Sequence, residues 1–235
     1  MPIRARPKRR ASRARQQEFV FRTWGGRRAG AGRKPVGPRA GVPHRARPEH
    51  LQRHPLHVTL RARSGLPTFR RQVLFRKVRE AIAASSRDWF RILHFSVQSN
   101  HAHFMVEARD KKRLSSGVRG LAIRIALAVN RTLSRSGSVW ADRYHARVLG
   151  TPREVRDAIV YVLANWKKHI RGAYGLDVCS SAWWFEGWKV PPAAALPDWL
   201  SPEPPVWAPR EWLSTTGWRR CGLISRNERP AGSRR

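Results

Sequence analysis

From His54 onward the spacing of apolar positions switches between two residues and about 3.6, and each switch marks an element. His57 to Arg63 alternates as a strand does, and Ser64-Gly65-Leu66-Pro67 ends it with turn residues. Phe69 to Ser85 places Val73, Val78 and Ile82, with Leu74 and Phe75, at helical spacing. Trp89 to Gln98 reads as a second strand, Ser99-Asn100 as a short turn, and Ala102 to Ala108 as a third strand. Two strands joined so closely predict an antiparallel hairpin. A helix from Lys111 to Ser134 follows, carrying Leu114, Val118, Leu121, Ile125, Ala128 and Thr132, while Gly117 and Gly120 weaken it by about 1 kcal/mol each relative to Ala. After the break at Ser136-Gly137-Ser138, His145 to Leu149 reads as a fourth strand.

Thr151-Pro152-Arg153-Glu154 then starts a helix firmly, with Thr as N-cap, Pro at the first position and Glu closing a capping box. That helix is expected to reach about His169, with Val155, Ile159, Val162, Leu163 and Trp166 on one side. The order strand, helix, strand, strand, helix, strand predicts an α+β fold, a ferredoxin-like (RRM-like) antiparallel sheet with helices on one face plus an added C-terminal helix.

Outside this block the pattern fails. Residues 1–48 hold fifteen Arg or Lys against the single acid Glu18, broken by Gly and Pro, and are read as a disordered basic arm. Residues 49–171 make the predicted domain. Residues 172–235 are an extension holding seven of the eleven Trp, and Trp183-Trp184-Phe185 and Trp188 are read as docking on the domain or stacking bases. The whole chain has 48 Lys and Arg against 15 Asp and Glu, a net +33, which points to a polyanionic partner, nucleic acid first. No apolar run is long enough to span a bilayer, and no membrane partner is expected. Cys179 and Cys221 form neither a zinc module nor a disulfide framework, which fits a reducing cytoplasm.

The candidate chemistry lies in Asn100-His101-Ala102-His103-Phe104. In a strand, His101 and His103 share a face while Ala102 points to the other layer, so the two imidazoles can close on one metal ion, which needs a third protein ligand. On the last helix Tyr161 and Asn165 are four residues apart and stacked, on the flank of the apolar stripe, where they face a rim of the sheet without being buried. A phenol for attack and an amide oxygen as third ligand would complete the site. His57 neighbours it on the first strand, and Lys168 lies near the face of Tyr161. Tyr144 and Tyr174 are read as structural. His54, His94, His145 and His169 have no evident role.

His101-Ala102-His103 resembles the HUH motif, His-hydrophobic-His, and Tyr161-Val162-Leu163-Ala164-Asn165 resembles the helix of single-tyrosine HUH transposases. Between them, Gly137 to His145 is similar to the segment preceding that helix in REP-associated tyrosine transposases, relatives of the insertion-sequence transposases. The chain departs from the family pattern at Ser99-Asn100, where Pro-Asn is common, and at Asn165-Trp166-Lys167-Lys168. The resemblance implies a divalent metal, Mg²⁺ or Mn²⁺, held by His101, His103 and Asn165, with Tyr161 as nucleophile. It also implies cleavage and rejoining of single-stranded DNA, guided by hairpins, through a 5′-phosphotyrosine, in a bacterial cytoplasm beside the nucleoid. Monomer and homodimer are both open. The alternative is a non-catalytic or domesticated single-stranded nucleic-acid-binding protein on the same fold. A replication or conjugation nickase of the same broad group fits less well, since the chain has no room for a helicase.

Overall fold

A sheet of four antiparallel strands, ordered β2-β3-β1-β4, carries the fold in the computed structural model, which describes residues 49–168 and 174–230. The basic arm at 1–48, His169, the 171–173 boundary and the last five residues lie outside the described residues. Those described belong to one compact unit, Gly41–Arg235. The elements are β1 (Leu56–Arg61), α1 (Gln72–Ala83), β2 (Phe90–Val97), β3 (His101–Ala108), α2 (Lys111–Thr132), β4 (His145–Val148), α3 (Pro152–Ala164) and α4 (Trp212–Thr215). The strand order and the βαββαβ succession are those of a ferredoxin-like fold, as the periodicity predicts.

The alternation within β1 and β3 builds two layers. Leu56, Val58, Leu60, Ala102, Phe104 and Val106 seal one face against α1 and α2 through Phe75, Val78, Val118 and Ile125. Met105 faces the other side, where Val155, Ile159 and Val162 of α3 close over it together with Leu93. Helices therefore cover both faces, with α3 as the added one. The predicted cap forms with its return bond shifted by one residue: Thr151 Oγ1 accepts from Glu154 N at 3.2 Å, and the Glu154 carboxylate accepts from Gly150 N, just before the N-cap, at 2.9 Å.

Two details differ from the sequence reading. The last helix stops at Ala164 and tightens into a 3-10 turn, Asn165–Lys168. And β2 contains a bulge between Ile92 and His94: Ile92 pairs with Val106 but His94 with Met105, leaving Leu93 as the extra residue. The bulge puts His94 on the α3 face beside Leu93 instead of in the α1–α2 core.

The C-terminal extension packs back on the domain. Val97 N donates to Cys179 O at 2.8 Å and Trp207 N to Ile92 O at 2.9 Å, so the extension satisfies part of the otherwise open edge of β2. Asp177, nearly fully buried, takes a bidentate contact from Arg70 (2.6 and 2.9 Å) and a bond from Cys179 N. Glu107, on β3, accepts from the backbone N–H of Arg210 and Glu211 at 3.0 Å each. Burial pushes its carboxyl up, and those two N–H groups oppose the shift. Arg156 of α3 clamps Glu228 at 2.7 and 2.9 Å. Trp188 and Trp218 are buried here, which is docking; Trp207 and Trp212 keep large exposed surfaces.

Gly117 has a packing reason that its helix propensity conceals. A Cβ there would lie 2.1 Å from the Phe90 ring, whereas one at Gly120 would meet only the flexible end of Arg124 at 3.1 Å. Gly117→Ala is expected to destabilise the protein by about 1–3 kcal/mol through overpacking, and Gly120→Ala to stabilise it by about 0.4–1 kcal/mol. Chemical denaturation of the two variants measures both signs.

Candidate active site

Three histidines and a tyrosine meet on the α3 face of the sheet. His57 and Thr59 lie on β1, and His103 pairs across from Thr59 in the β1–β3 register. The ring centroids of His101 and His103 are 4.8 Å apart, those of His103 and Tyr161 5.1 Å, and those of His57 and Tyr161 5.3 Å. The predicted His pair and the predicted tyrosine are thus brought together from strand β3 and helix α3. His57, expected only as a neighbour, is part of the cluster.

The Nδ1 atoms of both paired histidines are held by side chains. His101 Nδ1 lies 2.9 Å from Asn100 Oδ1. His103 Nδ1 lies 3.1 Å from Thr59 Oγ1 and 3.2 Å from His57 Nε2. With the proton on Nδ1, each ring donates to its neighbour and presents the Nε2 lone pair, the arrangement that orients metal-binding imidazoles. Asn100 and Thr59 were not foreseen as site residues. Thr59 could have been found from the strand period, since it shares a face with His57.

Asn165 is placed differently from the sequence reading. It stands at the junction of α3 and the 3-10 turn and is 1 % exposed, not on an open rim. Its Nδ2 has no hydrogen-bond partner among the described residues. A buried N–H donor without a partner costs free energy, so an acceptor such as a phosphate oxygen at Nδ2 would restore what the fold leaves unsatisfied, leaving Oδ1 as the atom able to meet a cation. Two oriented imidazoles and such an amide make a chemically fitting nitrogen and oxygen donor set for a divalent ion. Among the described residues no group of three or more His, Cys, Asp or Glu is placed to hold a metal, so the set depends on the amide.

Tyr161 is half-buried, and burial raises its phenol above the ordinary value. Lys168 lies over the ring, its Nζ 4.2 Å from the centroid, and burial lowers its ammonium. Lys167, by contrast, turns inward and donates to the carbonyl of Arg226. A cavity of about 430 Å³ opens beside Tyr161 and His57, bounded by Arg147, Glu154, Glu228 and Arg229. Tyr144 bonds Ser115 at 3.2 Å and Tyr174 is exposed; neither enters the cluster.

The family model described as "Transposase IS200 like" matches residues 52–164, from just before β1 to the end of α3 and one residue short of Asn165. Among solved structures the chain is similar to "Structure of the REP associates tyrosine transposase bound to a REP hairpin", at 20% identity and a TM-score of 0.43, covering 55% of this chain and 74% of that one. No curated protein matches it. Among the described residues no helix is long and apolar enough to cross a membrane.

Burial lowers His94, on the same face of the sheet, to about 4. In the unfolded chain it titrates near 6.5. Between those values the unfolded state binds a proton that the folded state refuses, so stability falls as pH drops from about 6.5 towards 4. The His94 ring signal in an NMR pH titration is expected to move with a midpoint near 4, and His94→Leu is expected to make the stability profile shallower across that window, His57, also lowered to about 4 by burial, keeping the rest of the slope.

Proposed function

We propose that the chain, whose residues 52–164 match the model of IS200-like transposases, cuts and rejoins single-stranded DNA, with Tyr161 as the attacking group. The observation that carries this reading is the meeting of His101, His103 and Tyr161 on one face of the sheet, with centroids 4.8 and 5.1 Å apart. Hairpin-bearing DNA is the proposed substrate, and the net charge of +33 supplies the attraction for it.

Each residue has a task in the reaction. The Tyr161 oxygen attacks the scissile phosphorus, the bond to the 3′ oxygen breaks, and a 5′-phosphotyrosine and a free 3′-hydroxyl result. The phenol proton must leave and the departing 3′ oxygen must gain one. Because burial raises the phenol, the nearby Lys168 ammonium is assigned the role of favouring the phenolate, by cation attraction to the ring and its oxygen. Attack by another 3′-hydroxyl on the phosphotyrosine reverses the step and joins a new strand without loss of the bond.

His101, His103 and Asn165 are the proposed ligands of Mg²⁺ or Mn²⁺. When bound, the ion supplies positive charge to the non-bridging oxygens of the phosphate. Thr59 and His57 keep the His103 ring oriented, and Asn100 does the same for His101.

The test is a covalent adduct. Purified protein incubated with hairpin-flanked single-stranded DNA and Mn²⁺ is expected to yield a protein–DNA species resistant to denaturant. Tyr161→Phe should abolish it, and His101→Ala with His103→Ala should reduce it at least 100-fold. An adduct formed by Tyr161→Phe would refute the assignment. Salt-dependent binding unaffected by the histidine changes, with no adduct from the wild type, would instead identify a non-catalytic binder.

A further inference from the structure

The tryptophans of the C-terminal extension do not all serve packing. A second cavity, of about 230 Å³, lies between β2 and the extension, walled by His94, Trp184, Phe185, Trp207, Trp218 and Arg219. It is smaller than the roughly 300–1,000 Å³ typical of drug-sized sites, so it suits a single planar ring system. Its aromatic wall is held by a fixed set of contacts. Phe185 stands edge-on to His94 at 5.3 Å and tilted by 33° to Trp218 at 5.6 Å. Trp184 donates its indole N–H to Pro202 O, and the Trp207 backbone N–H to Ile92 O.

Two further features point to a nucleic-acid component. Guanidinium groups flank the rings, with Arg219 5.0 Å from the centre of Trp218 and Arg91 5.1 Å from that of Trp207. And Trp207 is 38 % exposed although its backbone is fixed, an aromatic kept at the surface by the fold. Glu186 is the single acid among the lining residues. The bulge at Leu93 brings His94 to this cavity, and its register partner Met105 lies two residues from His103 on the same strand face. The cavity therefore shares the sheet face of the candidate active site.

We propose that this aromatic cavity receives one unpaired base of the DNA strand bound at the active site, stacked on Trp207 and flanked by Arg219. The base offers a π-face to the tryptophan and Arg219 takes up the charge of an adjoining phosphate, while the buried Arg91, bonded to Ala208 O, backs the Trp207 ring. His94 borders the cavity in its neutral form, kept so by burial. The inference rests on the single-stranded DNA reading above.

Full-length Tyr161→Phe protein, which cannot form the adduct, is titrated with single-stranded oligonucleotides carrying 2-aminopurine at successive positions beside the hairpin. One position is expected to be quenched on binding. Trp207→Ala should relieve that quench and weaken binding about tenfold, and Trp207→Phe should restore most of both. Replacing the quenched base by an abasic site should cost the parent protein the same tenfold and cost Trp207→Ala nothing further. The inference is overturned if no position is quenched, if Trp207→Ala leaves quench and affinity unchanged, or if a free deoxynucleoside monophosphate binds as tightly as the strand. The wild-type adduct assay on the same strand separates the two readings. An adduct with no quenched position removes the cavity's role and keeps the transposase reading; a Trp207-dependent quench with no wild-type adduct does the reverse.

Discussion

A sheet that must bury both its faces while keeping part of one open for chemistry sets the terms for the rest of this molecule. On one face the problem is solved conventionally, by α1 and α2 over Val58, Phe104 and Val106. On the other, β3 presents His101 and His103 in the same row as Met105 and Glu107, so apolar cover has to end where the imidazoles begin. Helix α3 draws that line. Its apolar side lies on Leu93 and Met105, and its tyrosine stands at the border, half-buried against His57 and His103.

One helix is too narrow to cover the remaining width, and the extension supplies the rest. Its attachments are polar at the points that matter: Asp177 on Arg70, Glu107 on the backbone N–H groups of Arg210 and Glu211, Glu228 on Arg156. A buried carboxylate is costly unless its oxygens are met by donors, so the contacts of Asp177 and Glu107 specify positions of the extension more sharply than apolar packing would, and the partly exposed Glu228 adds a bidentate clamp. Apolar contacts from Trp188, Trp218 and Ile224 then fill the space between the fixed points.

Seven main elements are legible in the sequence because each has a clean period, and the capping residues Thr151 and Glu154 fix the start of α3 to the residue. The end of α3 is not legible. Asn165-Trp166-Lys167-Lys168 contains neither Gly nor Pro, and the tightening after Ala164 accompanies contacts of Lys167 with Arg226 and Arg229, some sixty positions away. A helical wheel likewise shows which side of α3 Asn165 is on, but not how deeply that side is buried. The pairing of His101 and His103 was readable from alternation alone, and their approach to Tyr161 only through the family resemblance. Thr59 and Asn100, which orient the imidazoles, become visible once register is known. The bulge at Leu93 has no sequence signal, since Arg91-Ile92-Leu93-His94-Phe95 is equally compatible with a regular strand.

The clamp between Arg156 and Glu228 also has a consequence in time. A chain made from its N-terminus completes β1 to α3 long before Glu228 exists, and about sixty residues separate the end of the tyrosine helix from that partner. At roughly 5–20 residues per second, the sheet and helix wait about 3–12 s for the segment that fastens them. During that interval the histidine face and the uncovered edge of β2 are open to whatever lies near the ribosome, and the nascent chain there is strongly basic. The segment that borders the candidate site is therefore fastened only after the sheet and the helix that build it.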